Sequence, residues 1–326
     1  MSQYAWGTEG KTIVSDFSDQ VQNRTFLITG PSQGGLGAET ALSLAHSSPS
    51  QIILLGRSWI KIQPTIDGIH AINPAIITKF FPIELASLKS VRSTAQAVLD
   101  DPDIPHIDVI INNAAVMANP YTVTEDGFES QFATNHLSHF LLTNLLLPKV
   151  VAAGPKARIV NVSSWGHAFS DIQWDDVGFH AGKTYTPWEG YGQSKTANIL
   201  FAVELNERLK KNGDIRAFAL HPGRIETNLT VHLSVAPEQY TTVMEKWAAI
   251  GKPPMGADQS KSLQAGCSTT LRAALDPTLL EQDDIYLHDC QVTTDPVEVS
   301  GFALDKESAK KLWTLSEDMV GERFHY

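Results

Sequence analysis

The amino-acid sequence predicts a single-domain α/β fold, a doubly wound parallel sheet with helices on both faces. Short apolar runs of strand length alternate with helix-period segments along the 326 residues, an order that buries parallel strands under helices on both sides. The first run, Thr25-Phe-Leu-Ile28, ends in a glycine-rich turn and passes straight into a helical pattern. No internal repeat or low-complexity linker divides the chain, so one large core is expected.

Composition narrows the partners. The chain is 42% hydrophobic, with a net charge of −11 and a pI near 5.4. This argues against nucleic acid or an anionic membrane surface, both of which need concentrated basic groups, and points to a small-molecule ligand. Cys267 and Cys290 are the only cysteines. They are too few for a disulfide framework and are not spaced with histidines as metal ligands, so two idle thiols and no metal are expected. Residues 1–24 lack a cationic start followed by an apolar run, and no stretch reaches the ~18 apolar residues of a membrane span. A cytoplasmic protein is expected.

In chain order, residues 1–23 read as an N-terminal arm with scattered aromatics (Tyr4, Trp6, Phe17) and no period. The turn Thr29-Gly-Pro-Ser-Gln-Gly-Gly-Leu-Gly37 sits between a strand and the helical pattern of Ala38 to His46. Glycines there let backbone approach a pyrophosphate, and the helix start offers free N–H groups and a positive dipole end. An ordinary glycine-rich βα turn has the same local look. Gln51-Ile-Ile-Leu-Leu55 is a second strand, ending in Gly56-Arg57-Ser58 rather than in an acid. An Arg at that strand end pairs with a 2′-phosphate, where a carboxylate would hold a 2′-hydroxyl, although a solvated surface Arg reads the same way. Residues 75–81 form a third strand running into Glu84-Leu85, and Leu88 to Leu99 has helical spacing. Ile107 to Ile111 is a fourth strand closed by Asn112-Asn113-Ala114-Ala115, and Phe128 to Val151 is a long helix containing Asn135. Arg158 to Val162 is a fifth strand delivering Ser163 and Ser164 at its carboxyl end. Ile215 to Leu220 is a sixth, followed by His221-Pro222-Gly223; residues 258–275 read as a helix and Ile285 to Cys290 as a last strand.

Between the fifth and sixth strands stands Tyr191-Gly-Gln-Ser-Lys195, at the start of a helical pattern. Positions i and i+4 share a helix face, so the phenol and the ammonium lie together. A fixed cation favours the phenolate and lowers a tyrosine pKa from about 10, fitting it for proton transfer. Alone, the pair also describes a surface contact.

Taken in order, the turn 29–37, Asn112 to Ala115, Asn135, Ser164, Tyr191 with Lys195, and Pro222-Gly-Arg-Ile-Glu-Thr227 resemble the short-chain dehydrogenase/reductase family over residues 24–290. The phrases Gly56-Arg57, Asn135-His-Leu-Ser-His-Phe140 and Ile159-Val-Asn-Val-Ser-Ser164 look closest to the branch of retinol dehydrogenases, WW-domain oxidoreductases and their fungal relatives. Two departures stand out. Thr29-Gly30 is separated from Gly35-Leu36-Gly37 by one residue more than the family's T-G-x-x-x-G-x-G, and Trp165 to Gly190 make a long insertion between Ser164 and Tyr191. Glu84 also replaces the usual Asp at the adenine contact.

The resemblance implies a Rossmann-type domain over residues 24–290, with residues 291–326 packing on it as an extension. It implies catalysis by Asn135, Ser164, Tyr191 and Lys195, with hydride transfer between nicotinamide and a substrate carbon. Tyr191 would exchange the proton on oxygen, Ser164 hold that oxygen, Lys195 bind the nicotinamide ribose, and Asn135 hold a water linking Lys195 to solvent. NADP(H) would be held by Gly30, Ser32, Gln33, Gly35, Leu36, Gly37, Arg57, Glu84, Leu85, Asn112, Tyr191, Lys195, Ile225 and Thr227. Ser164, Trp165 and Tyr191 would meet a carbonyl or alcohol substrate, a moderately large apolar molecule such as an intermediate of secondary metabolism. Residues 228–256, with Leu229, Val231, Leu233, Tyr240, Met244, Trp247 and Met255, would form a lid or pack as core. Relatives pair through helices beginning near Phe128 and Tyr191, which implies a homodimer. The competing class is a non-redox protein that uses the fold and a bound dinucleotide as a scaffold, a sensor or a cyclising pocket; an intact proton relay weighs against it.

Overall fold

The computed structural model describes residues 3–210, 215–229, 244, 245, 247–249, 251 and 260–325. The strands are β1 (Thr25–Thr29), β2 (Gln51–Gly56), β3 (Ile77–Pro82), β4 (Val109–Asn112), β5 (Arg158–Val162), β6 (Arg216–His221), β7 (Arg224–Ile225), β8 (Ser260–Lys261), β9 (Tyr286–His288) and β10 (Gln291–Val292). Among the described residues, eight of them form one sheet in the order β10-β9-β6-β5-β4-β1-β2-β3, with β7 and β8 as a separate pair. Every neighbour in the large sheet is parallel except β9 with β10. Chain order reverses between β1 and β4, which opens a crevice at their carboxyl ends where ligands of such sheets bind. β1, β4 and β5 are buried along their whole length, as strands covered on both faces must be.

Among the described residues the helices that cover the sheet and shape the site are α1 (Gly10–Asp16), α2 (Leu36–Ala45), α3 (Trp59–Ile72), α4 (Leu88–Asp100), α5 (Ser130–Phe132), α6 (Ser138–Ala152), α7 (Pro187–Leu209), α8 (Leu263–Leu275) and α9 (Lys306–Val320). α1, α2, α3 and α8 pack in one layer; α4, α6, α7 and α9 pack in the other, joined through α5. α7 starts with Thr186 as its cap, which accepts from Glu189 N at 3.2 Å and donates to the Glu189 carboxylate, and Pro187 fills the first turn. Tyr191 therefore lies inside this helix, one turn after its start. The sequence suggests one buried face for α7, yet Gly190 to Leu205 are all buried. α9 supplies the outer cover: Trp313 sits edge-on to Phe140 of α6 at 4.9 Å and against Phe201 of α7 at 5.9 Å, with the Arg208 guanidinium over its ring at 4.1 Å. The helix faces on which pairing is expected thus carry this chain's own C-terminal helix.

Four segments differ from the sequence reading. The helix expected over 258–275 begins only at Leu263, and Ser260–Lys261 before it form β8. The helix expected over 128–151 is interrupted by a π turn at Ala133–Leu137, which holds Asn135. α3 was not expected, although Ile62, Thr65, Ile66 and Ile69 are its buried stripe; Pro64 and Gly68 obscure the period. Gly68 lets α3 lie on α2, since a Cβ there would meet Leu42 Cδ2 at 2.8 Å. The arm also contains α1, laid on α8. Cys267 and Cys290 are free and buried, as expected of idle thiols.

Candidate active site

The glycine turn closes the crevice edge of β1. Gly30 and Gly34 have φ of +70° and +77°, a conformation that glycine adopts without a Cβ clash. The extra residue is absorbed there: Gly35 N–H bonds Ser32 C=O at 3.0 Å, Gln33 N–H bonds Lys61 C=O at 3.1 Å, and Asn228 Nδ2 donates to Gln33 C=O at 3.0 Å. Gly34 belongs to this turn as much as the glycines marked from the sequence. A Cβ on Gly37 would lie 2.6 Å from Gly30 O, so helix and turn touch only because Gly37 lacks one. Asn113, not Asn112, stitches β4 to the turn by donating from Nδ2 to Thr29 C=O at 2.9 Å. The side chain of Asn112, a residue expected at the cofactor, is buried and donates to Thr143 Oγ1 at 3.0 Å and Asn161 Oδ1 at 2.8 Å. It braces β4 against β5 and α6.

A buried hydrogen-bond chain joins this turn to the Asn135 segment. Thr29 Oγ1 accepts from the Asn113 and Ala114 N–H groups, each at 3.0 Å, and lies 2.9 Å from His139 Nε2. His139 Nδ1 lies 3.1 Å from Asn135 C=O. A carbonyl only accepts, so Nδ1 carries the proton and the Thr29 hydroxyl donates to Nε2. Burial holds His139 down to about 4, so it stays neutral and the tautomer is fixed. Asn135 Oδ1 accepts from Val116 N at 2.8 Å, and its Nδ2 donates to Val116 O and to Ser194 Oγ, both at 2.9 Å. Ser194 Oγ donates to Tyr191 C=O at 2.7 Å. Ser194 lies within the Tyr-to-Lys stretch, yet its linking role depends on Asn135 and is invisible in the spacing.

Tyr191 is 4% exposed and Lys195 is 2% exposed. The Lys195 ammonium lies 5.7 Å from the Tyr191 ring centroid and donates to Val162 C=O at 2.9 Å. The expectation that the cation lowers the tyrosine pKa is corrected here. Burial dominates and pushes Tyr191 up to about 12, with a hydrogen bond from Ser164 acting the other way. Burial also pushes Lys195 down to about 7. Both shifts share one cause, since a low-polarity site disfavours the charged form of each group.

Ser164, at the carboxyl end of β5, accepts Gly166 N–H at 3.0 Å and reaches Tyr191. That bond uses one of two lone pairs and leaves the hydroxyl proton for another partner. Neighbouring Ser163 is buried and donates to Lys195 C=O at 2.8 Å, a bond that turns its hydroxyl away from Tyr191 and onto the helix backbone. Two further residues shape this corner. The Tyr191 ring lies over Gly166, where a Cβ would sit 2.7 Å from Cε1 and 3.3 Å from Ser164 Oγ. His167 donates from Nδ1 to Ser164 C=O at 2.6 Å and accepts Ser300 N–H at Nε2 at 3.0 Å, tying the serine to the C-terminal segment.

The remaining expected residues surround this core. Arg57 is exposed, with Nη1 3.8 Å from Glu84 Oε2. Leu85 is buried in the core, and its carbonyl accepts from Ser138. Ile225 pairs with Lys261 across β7 and β8, and Gly266 of α8 brings it to Leu36, because a Cβ on Gly266 would meet Ile225 Cγ1 at 2.6 Å and Leu36 Cδ2 at 2.8 Å. Thr227 Oγ1 accepts from Leu229 N at 3.3 Å. Trp165 stacks on His221 at 5.2 Å and meets Trp247 edge-on at 5.2 Å. Of the expected lid, Leu229, Met244 and Trp247 are described, and Trp247 is buried; Val231, Leu233, Tyr240 and Met255 lie outside the described residues.

This arrangement suits a dinucleotide. α2 begins at the crevice with Gly35 as cap and no side-chain cap bond, so first-turn amides and the positive helix end are available to a phosphate. Comparisons agree with the geometry. The family model for short chain dehydrogenases matches residues 24–237. The short-chain dehydrogenase/reductase prx1 of Penicillium roqueforti is 33% identical over 319 residues, covering 94% of this chain and 87% of that protein. Human retinol dehydrogenase 13 is 34% identical over 306 residues, covering 92% and 86%. The crystal structure of an uncharacterized protein from Mycobacterium paratuberculosis superposes with a TM-score of 0.67 at 33% identity, covering 94% of this chain and 96% of that one. Sequence, fold and site agree, and the chain belongs to the short-chain dehydrogenase/reductase family, oxidoreductases that use a nicotinamide dinucleotide.

Proposed function

We propose that this protein is an NADP(H)-dependent oxidoreductase that interconverts a carbonyl and an alcohol on a small molecule. The observation that carries the reading is that the Tyr191 ring and the Ser164 hydroxyl meet over Gly166, with Lys195 buried one helical turn away. When bound, the nicotinamide supplies or accepts the hydride. Tyr191 stays protonated at neutral pH and donates its phenol proton to the substrate oxygen as negative charge develops there. Ser164 directs its own proton to the same place and so fixes the oxygen within reach. Lys195 exchanges its proton near neutrality, and on becoming charged it stabilises the phenolate that Tyr191 leaves behind. Asn135 and Ser194 hold the helix carrying both groups.

Arg57 supports the choice of NADP(H). It stands at the end of β2, exposed, and its contact with Glu84 at 3.8 Å is a loose surface pair of the kind worth about 0–1 kcal/mol. A 2′-phosphate would outcompete that carboxylate for the guanidinium through paired, charge-assisted hydrogen bonds. The test is loss of absorbance at 340 nm on mixing protein and NADPH with a panel of ketones and aldehydes. Catalytic turnover of at least one member is expected; tight NADPH binding with no turnover across the panel would favour the non-redox scaffold.

A further inference from the structure

Beside Trp165 lies a cavity of about 250 Å³ lined by Trp6, Trp165, His221, Arg224, His288 and Glu298, with Gly223 and Asp289 completing it. It lies at the carboxyl ends of β6 and β9, against Trp165, the residue that follows Ser164, and two of its walls come from outside the central fold: Trp6 from the N-terminal arm and Glu298 from the C-terminal segment. At roughly 300–1,000 Å³ for a whole drug-sized ligand site, a cavity of this volume takes one end of a substrate.

Its lining is aromatic and fully cross-braced. The Trp165 indole stacks on His221 with 10° between planes, and His288 leans on both rings at 4.9 Å and 5.3 Å. Trp165 Nε1 donates to Glu298 Oε2 at 2.8 Å, and the same carboxylate accepts from His288. Below them Lys261, its side chain fully buried, pairs with Asp289 at 2.6 Å. Gly223 makes room for that lysine, since a Cβ there would lie 2.7 Å from Lys261 Cδ. Trp6 covers the lysine from above, with its ring centroid 5.9 Å from Nζ.

Asp289 and Cys290 form the turn between β9 and β10 with φ of +47° and +61°, a left-handed pair that such hairpins usually fill with Asn-Gly. Thr269 Oγ1 accepts from Cys290 N at 3.1 Å, and Arg272 bonds its carbonyl. Strained backbone held this firmly gathers at ligand sites, and here it presents Asp289 to Lys261 at the cavity floor.

We infer that this cavity is a subsite for the far end of the substrate and selects a flat, neutral, hydrogen-bonding ring system, such as a hydroxylated aromatic. Indole and imidazole faces favour a π-face over an aliphatic chain. Glu298 and Asp289, both in the lining, present carboxylate oxygens, which take several hydrogen bonds each and can accept from a hydroxyl but not from a carboxylate. The inference rests on the oxidoreductase reading for the position of the reacting carbonyl, but its test does not use turnover.

Isothermal titration calorimetry with 2-naphthol, 2-decalol and 2-naphthoate tests it directly. 2-Naphthol should bind at least about 10-fold more tightly than its saturated or carboxylated counterpart. Trp6→Ala, a change at a partly exposed arm residue, should weaken 2-naphthol at least about 10-fold, and Trp6→Phe should restore most of the loss by restoring a flat wall. Equal affinity for 2-decalol or 2-naphthoate, or unchanged 2-naphthol binding in Trp6→Ala, would overturn the subsite. The expected binding pattern in a protein that turns over no carbonyl would leave the subsite standing and remove the oxidoreductase reading instead.

Discussion

A Cβ placed on Gly166 would lie 2.7 Å from Cε1 of Tyr191, so the missing side chain of one residue sets where the ring of the other rests. Ring atoms of a buried tyrosine cannot slide away as a flexible side-chain end can. Gly166→Ala should therefore push the phenol off its position beside Ser164. A misplacement of about 1 Å costs on the order of 10²-fold in rate, so kcat should drop by that order while NADPH affinity stays within about threefold. Full activity in this variant would mean that the ring has room to spare.

Burial of Lys195 carries a cost to stability whose sign follows from its pKa. The amine is held at about 7 in the fold against about 10.4 unfolded. Between these values the unfolded chain binds more protons, so this group's contribution to stability rises with pH and is most unfavourable below about pH 7. Lys195→Met keeps the volume and removes the charge, and Val162 C=O keeps a donor in Asn198 Nδ2 at 3.4 Å. The variant without bound cofactor should melt higher than wild type at pH 6.5, by roughly 3 °C if the net gain is about 2 kcal/mol. The gap should narrow toward pH 9.5. A variant less stable at pH 6.5, or a gap that widens with pH, would contradict a buried, strained ammonium.

Cofactor preference should follow Arg57. Charge-assisted hydrogen bonds are worth about 1.5–3 kcal/mol each, and 1.4 kcal/mol is about tenfold, so NADPH should bind at least ~10-fold more tightly than NADH. Arg57→Ala should erase most of that ratio and leave NADH affinity unchanged. Dissociation constants for both cofactors with both proteins check this; equal wild-type affinities would reduce Arg57 to a solvated charge beside Glu84.

Which parts of the site were legible in the sequence depended on how local their chemistry is. The turn at Thr29 to Gly37 and the Tyr191–Lys195 pair announce themselves because spacing along one element sets their geometry. Gly166, Ser194, His139 and His167 did not, because each acts by touching a residue that only folding brings near: Tyr191, Asn135, Thr29 and Ser300 in turn. Asn112 and Asn113 show the limit of a motif, since the phrase fixes the pair's place while the direction of each side chain depends on Thr143, Asn161 and Thr29. The pKa of Tyr191 departs from the spacing-based expectation for a physical reason. Spacing reveals the neighbouring ammonium, but the burial that outweighs it comes from the layers packed around α7. Of the outer segments, α9 has an amphipathic stripe in Leu312, Trp313, Ser316 and Val320, readable in principle, whereas α1 is a short helix whose position depends on α8.

Tyr191 is the group on which the proposed chemistry turns, and Tyr191→Phe removes its hydroxyl while keeping the ring over Gly166. With a substrate that the wild type reduces, kcat measured from NADPH oxidation at 340 nm should fall by at least ~10²–10⁴, the range for lost general acid catalysis, and the dissociation constant for NADPH should change little. Near-full turnover in the Phe variant would contradict proton transfer by Tyr191.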